Sequence, residues 1–159
     1  MDFRVGFGFD VHRLSEGETL WLGGVLVPHT KGTIAHSDGD VLIHALCDAM
    51  LGAAKMRDIG YHFPDNSEDF KNIDSKILLK KTAELVEEKG YVIGNIDVTV
   101  AAQKPRLKDY IPLMEEKLAE VLDIDGDVVS VKATTTERLG FEGREEGISA
   151  YAVVLLEKK

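Results

Sequence analysis

Phe3-Arg4-Val5-Gly6-Phe7-Gly8-Phe9-Asp10-Val11-His12 is aromatic and β-branched with glycines interleaved, and it reads as a β-strand. Residues i and i+2 of a strand face the same way, so Asp10 and His12 can converge on one ion. A third donor, His44, falls inside a predicted helix further along. One carboxylate oxygen and two imidazole nitrogens suit a catalytic zinc ion, which takes three protein ligands and keeps a fourth position for substrate.

Outward from this strand, residues 20–27 carry Gly23-Gly24 between apolar pairs, the mark of a hairpin or a bent strand. A helix begins near Asp38, with Ser37 as N-cap and Asp38 and Asp40 in its first turn. It runs through Leu42, Leu46, Met50 and Ala54. Residues 58–70 hold Gly60, Pro64, Asp65, Asn66 and Ser67, which predicts an irregular loop long enough to carry function. A second helix spans 74–89, with Ile77, Leu78, Leu85 and Val86 as its apolar face and Gly90 as its stop. Residues 91–102 form a strand and 110–122 a helix with Pro112 in its first turn. Strands 128–133 and 148–156 flank a loop with Gly140, Gly143 and Gly147. This order predicts an α/β fold (an α+β sandwich): a mixed β-sheet with helices packed on one face. Strands 91–102 and 128–133 around their helix predict a right-handed crossover.

The 159 residues suffice for one domain spanning 1–159 with its own hydrophobic core. The single Cys47 excludes an internal disulfide, and its apolar helical setting reads as a small buried residue. There is no membrane span or signal-like start, so the expected location is cytoplasmic. A formal net charge of −9 argues against nucleic acid, whose phosphates require a basic footprint. An anionic substrate must therefore be held by metal ions, helix N-termini and a few placed cations.

Asp40 and Asp48 stand at i−4 and i+4 from His44, on the same helical face. A carboxylate there can accept the second imidazole N–H and fix the tautomer of a metal-bound histidine. His36-Ser37-Asp38-Gly39-Asp40 sits where a loop becomes a helix. Free backbone N–H groups there favour an anion, and His36 can add a contact to a phosphate oxygen; the same residues equally make a plain capped helix start. Thr134-Thr135-Thr136-Glu137 follows a strand and can hold phosphate oxygens and a hard cation, or simply reflect the strand preference of threonine. Gly140-Phe141-Glu142-Gly143-Arg144 offers a bidentate phosphate contact. Lys104-Pro105-Arg106 is a further basic point, more in keeping with a solvated turn. Asp123-Ile124-Asp125-Gly126-Asp127 has its glycine one place early for a calcium loop and ends at Thr134, so it reads as a turn.

Six ordered motifs make the chain closely similar to a known family: Gly8-Phe9-Asp10-Val11-His12, Ala35-His36-Ser37-Asp38-Gly39-Asp40, Asp58-Ile59-Gly60, Phe63-Pro64-Asp65, Ala133-Thr134-Thr135-Thr136-Glu137 and Leu139-Gly140-Phe141. Over essentially its whole length it resembles the 2-C-methyl-D-erythritol 2,4-cyclodiphosphate synthases of the non-mevalonate isoprenoid pathway. The resemblance implies Asp10, His12 and His44 as zinc ligands. It implies Glu137 as ligand of a second divalent cation, Mg²⁺ or Mn²⁺, between the α- and β-phosphates. His36 and Thr135 match the positions that steady the phosphoryl group in the transition state. Ser37, Asp58, Ile59, Gly60, Phe63, Pro64, Asp65, Asn66 and Ser67 match substrate contacts on the methylerythritol side. Ala102, Gln103, Lys104, Pro105, Arg106, Leu107, Lys108 and Thr134 match the cytidine pocket, and Thr136, Phe141 and Arg144 further substrate contacts. Arg106 stands where lysine is common, and Cys47 where threonine is frequent.

The implied substrate is a small cytidine diphosphate ester, and the implied assembly a homotrimer with active sites between subunits. The implied reaction is attack of a 2-phosphate on the β-phosphorus with loss of CMP, for which no protein nucleophile is needed. Two other readings use the same residues. A metal-dependent phosphohydrolase would release inorganic phosphate, and a non-catalytic metal-binding domain would have no use for Thr134–Glu137.

Overall fold

A computed structural model describes residues 2–159. In chain order they form β1 (Phe3–Glu16), β2 (Trp21–Leu22), β3 (Val25–Leu26), β4 (Lys31–Ile34), α1 (Val41–Ala53), α2 (Ile59–His62), α3 (Ser75–Glu88), β5 (Tyr91–Ala101), α4 (Ile111–Leu122), β6 (Val129–Thr134), α5 (Gly140–Gly143) and β7 (Gly147–Lys158). Short 3-10 turns lie at Glu68–Phe70 and Gly126–Val128.

Five strands make one mixed sheet in the order β4-β1-β7-β5-β6. β1 pairs antiparallel with β7 from Phe3↔Glu157 to Arg13↔Gly147, and its far end pairs with β4. β5 and β6 are parallel, as the strand–helix–strand order around α4 predicts. Gly94 is absorbed as a bulge in β5 between Ile93 and Asn95. Of the two forms open to residues 20–27, β2 and β3 take the hairpin, with Gly23 and Gly24 at φ 58° and 74°. Both central residues of such a turn need positive φ, which glycine adopts without strain.

The helices cover one face of this single-domain α/β fold. α1 lies against β1 and β7 with Leu42, Leu46 and Met50 fully buried. It comes unusually close to β1 because Gly6 and Gly8 have no side chain: a Cβ on either would stand 1.8 Å from a carbonyl oxygen of α1, Ala49 or Ala45. The opposite sheet face is uncovered and apolar. Phe3, Val5, Phe7, Phe9 and Val11 of β1 are exposed there with Tyr151 and Val153 of β7, and Phe9 meets Tyr151 with ring centroids 5.2 Å apart. No helix among the described residues is long and apolar enough to cross a membrane.

Several local expectations need correction. α1 starts at Val41, capped by Asp40 and not Ser37, because only the Asp40 carboxylate reaches the Ile43 N–H, at 3.0 Å. The 58–70 segment is not wholly irregular: Asp58 and Ser67 each accept a backbone N–H and start a single turn, α2 and Glu68–Phe70. Ile77 is exposed on α3, whose buried side is Leu78, Leu79, Thr82 and Val86. β1 continues to Glu16 because β4 pairs with its end.

Candidate metal centre

Asp10 and His12 occupy the helix-facing side of β1, and α1 carries His44 down onto them. His12 Nε2 lies 3.0 Å from Asp10 Oδ2 and 3.1 Å from His44 Nδ1, and the third edge, His44 Nδ1 to Asp10 Oδ2, is 3.2 Å. Zinc bonds of about 2.0–2.2 Å place neighbouring donors of a tetrahedral shell roughly 3.3 Å apart. The triangle therefore has the donor types and edges of one face of such a shell. These three residues also form the one compact set of metal-donor side chains found among the described residues. The site can hold a divalent cation.

Burial opposes ionisation of Asp10, but hydrogen bonds and charge from His12 and His44 outweigh it and lower its pKa to about 2. Burial likewise works against a charged His44, and Asp10 beside it prevails, so its pKa is raised. Without a cation the cluster is held by shared protons, which a divalent ion would displace.

The partner of the other His44 nitrogen is not the one expected. Asp40 is turned away: its carboxylate accepts the Gly23 and Gly24 N–H groups at 3.0 and 2.7 Å as well as the Ile43 N–H. It welds the β2–β3 turn to the start of α1. Burial raises its pKa against the pull of these donors. Asp48 is spent on the Ile59 N–H, at 2.7 Å, and anchors α2. The helical spacing was right for both, but backbone donors on neighbouring segments compete successfully for their carboxylates. His44 Nε2 instead meets the Ser75 hydroxyl at 2.9 Å and the Ser37 hydroxyl at 3.2 Å. Ser75 opens α3, and nothing local in the sequence connects it with His44.

The triangle opens on a cavity of about 400 Å³ lined by His12, His36, Ser37, His44, Ile59, Gly60, Phe63 and Asp65, together with Phe70, Ile73 and Leu78. His36 Nε2 donates to the Ser67 carbonyl at 2.8 Å, tying the ring to the 63–67 loop, whose Phe63 and Asp65 line the cavity. Pro64 and Asn66 are exposed on that loop, and Asp58 is exposed with its carboxylate on the Tyr61 N–H.

A second cavity, of about 430 Å³, is lined by Ala102, Gln103, Pro105, Arg106, Leu107, Lys108, Thr134 and Thr135. It shares no residue with the first. Lys104 is exposed beside it. Glu137 is also exposed, at φ 53°, with its N–H directed at the Thr135 hydroxyl. The Thr136 hydroxyl donates to the Leu139 carbonyl at 2.6 Å. Phe141 lines a third hollow beside His12, and Arg144 pairs with Glu146 at 2.9 Å. One chain thus brings the metal donors together with His36, Ser37 and the 59–65 residues, and holds the residues expected at cytidine in a separate cavity.

The model of the YgbB family matches residues 3–157. A 2-C-methyl-D-erythritol 2,4-cyclodiphosphate synthase of Bacteroides fragilis is 67% identical over 158 residues, which cover 99% of this chain and 99% of that protein. A protein of the same name from Syntrophomonas wolfei is 56% identical over 155 residues, 98% of this chain and 99% of its own. Among solved structures, the bifunctional IspDF of Campylobacter jejuni superposes with a TM-score of 0.96 at 47% identity. It covers 99% of this chain, which spans only 43% of that longer one. IspF of Plasmodium falciparum, solved as a CDP complex, gives a TM-score of 0.87 at 37% identity, with 99% of this chain and 97% of that one covered.

Proposed function

The chain belongs to the YgbB family and is a lyase-type enzyme of isoprenoid biosynthesis that forms 2-C-methyl-D-erythritol 2,4-cyclodiphosphate, and we propose that it does so by intramolecular phosphoryl transfer with loss of CMP. The substrate on this reading is 4-diphosphocytidyl-2-C-methyl-D-erythritol 2-phosphate. An oxygen of the 2-phosphate bonds to the β-phosphorus, and the bond from that phosphorus to the oxygen bridging the α-phosphorus breaks. CMP carries off the electron pair, and the eight-membered cyclic diphosphate remains.

The observation that carries this reading is the Asp10–His12–His44 triangle, open to a cavity that also presents His36 and Ser37. The three donors fit Zn²⁺, and Glu137 would hold a second cation, Mg²⁺ or Mn²⁺. When bound, such cations supply positive charge to phosphate oxygens. The protein's own work is positioning and electrostatic stabilisation, which dominate phosphoryl transfer. His36, its ring held through Nε2, faces the phosphoryl group, and Thr135 offers a hydroxyl from the cytidine side. The 58–67 segment orients the methylerythritol phosphate, residues 102–108 with Thr134 receive the cytidine, and Thr136 is a further substrate contact. Phe141 contributes from the third hollow, and Arg144 exchanges Glu146, which lines that hollow, for a phosphate.

We further propose a homotrimer in which the metal cavity of one copy adjoins the cytidine cavity of its neighbour. Two observations support it: the cavities share no residue, and the uncovered β1–β7 face is apolar enough to need a partner. The proposed setting is the cytoplasm, which suits a chain whose one thiol is buried and free.

A ³¹P NMR time course with the cytidylated 2-phosphate substrate tests the reaction. CMP and a cyclic diphosphate should grow together. Release of inorganic phosphate instead would mark a phosphohydrolase.

A further inference from the structure

The outer nitrogen of His44 ends in a relay that reaches a different part of the fold. Ser75 Oγ lies 2.9 Å from His44 Nε2 and 2.5 Å from Asp38 Oδ1. Asp38 Oδ2 also accepts the Ser75 N–H at 3.0 Å, and the Asp38 N–H donates to the Ile73 carbonyl at 3.1 Å. Both ends of the Ser75 residue are thereby pinned to one carboxylate. Ser75 is fully buried, whereas Ser37, the other hydroxyl near Nε2, is partly exposed, lies farther off at 3.2 Å and already accepts the Gly39 N–H.

The directions of these bonds follow from chemistry. An ionised Asp38 only accepts, so the Ser75 hydroxyl donates its one proton to it. The hydroxyl oxygen is then left as an acceptor toward His44, which must carry its proton on Nε2. That places the lone pair of neutral His44 on Nδ1, the nitrogen facing Asp10 and His12. Metal-bound histidines commonly give their second N–H directly to a carboxylate, which fixes the ring and raises ligand basicity. Here a serine hydroxyl is interposed.

We propose that Asp38 and Ser75 are positioning residues for His44: the Asp38–Ser75–His44 relay holds the imidazole in the Nε2–H tautomer and presents Nδ1 as a metal ligand. This rests on the metal-site reading above and deepens it. It also makes the start of α3, through Ser75, part of the metal centre.

Ser75→Ala removes the hydroxyl while keeping the backbone N–H on Asp38, and Ser75→Thr restores a hydroxyl. With ¹⁵N-histidine-labelled protein, wild type should show a slowly exchanging, hydrogen-bonded His44 Nε2–H signal, both metal-free and zinc-loaded. Ser75→Ala should lose its protection and bind zinc 10- to 100-fold more weakly in competition with a chromophoric chelator, in line with losses at comparable supporting residues. Asp38→Asn should fall between the two, and Ser75→Thr should recover at least part of both. A protected Nε2–H signal in Ser75→Ala, or zinc affinity within twofold of wild type, overturns the relay. Failure of wild type to bind zinc at all would defeat the metal reading instead, and the ring N–H signal of the metal-free protein would still decide whether the relay holds His44.

Discussion

Gly8 of β1 lies directly beneath the Ala45 carbonyl of α1, so close that a Cβ on it would stand 1.8 Å from that oxygen. The contact is backbone on backbone and cannot be relieved by turning a side chain. Ala45 adjoins His44 and Gly8 is two residues from Asp10, so the same contact sets the gap between the two halves of the metal triangle.

Gly8→Ala should therefore act on stability and metal together. Overpacking of this kind costs about 1–3 kcal/mol, which for a chain of this size lowers Tm by roughly 2–12 °C. The folded variant should also bind zinc more weakly, since α1 must move away from Asp10 and His12. Calorimetry with zinc titration checks both, and an unchanged zinc affinity would show that the spacing is set elsewhere.

Asp40 should behave as a structural residue. Asp40→Ala leaves the N–H groups of Gly23, Gly24 and Ile43 without their acceptor, and each buried unpaired donor costs about 1–3 kcal/mol. A loss of roughly 3–5 kcal/mol in urea unfolding is expected, with Asn milder than Ala. Zinc affinity of the folded Asn variant should stay near wild type, the opposite of the pattern expected for Ser75→Ala.

The two proposed metal sites should separate by mutation. His44→Ala should abolish stoichiometric zinc and CMP release together, as metal analysis and the ³¹P assay would report. Glu137→Gln should retain zinc and lose turnover. Normal turnover without bound zinc would remove His44 from the ligand set, and an unaltered Mg²⁺ dependence in the Gln variant would remove Glu137.

The metal-free protein should show a pH signature at Asp10. Its pKa, held at about 2 against an ordinary 3.8, is depressed in the folded state. Its contribution, on the order of 2 kcal/mol, is then present above about pH 4 and is lost as pH falls toward 2. His44 has the opposite sign: its pKa is raised from 6.5, so its contribution is present below that value and fades as pH climbs through the raised one. Urea midpoints of chelator-treated wild type minus those of Asp10→Asn should therefore peak between about pH 4 and 6.5. A flat difference would mean the triangle does not hold the metal-free fold.

Cys47 should be silent to thiol reagents. Burial pushes its pKa up to about 12, so at pH 8 both the thiolate and an access route are lacking. Iodoacetamide should label it only in denaturant, with mass spectrometry as the readout. Labelling of the native protein would reveal opening of α1.

The sequence by itself determined that Asp10 and His12 share one face, because alternation along a strand commits them to it whatever surrounds them. It narrowed residues 20–27 to a hairpin or a bent strand, since Gly23-Gly24 supplies the positive φ that such a turn demands, and it determined a mixed sheet with helices on one side. Family motifs implied the substrate contacts residue by residue, and those roles stand as proposals. What the carboxylates near His44 do was decided only by the tertiary structure. Helical spacing put Asp40 and Asp48 on the right face, but the backbone donors of Gly23, Gly24 and Ile59 arrive from other segments and take them. Ser75 and Asp38 reach His44 and its hydroxyl partner across chain separations of 31 and 37 residues, where no periodicity operates. Local sequence dictates which way a side chain points; which donor reaches it first depends on how distant segments close around it.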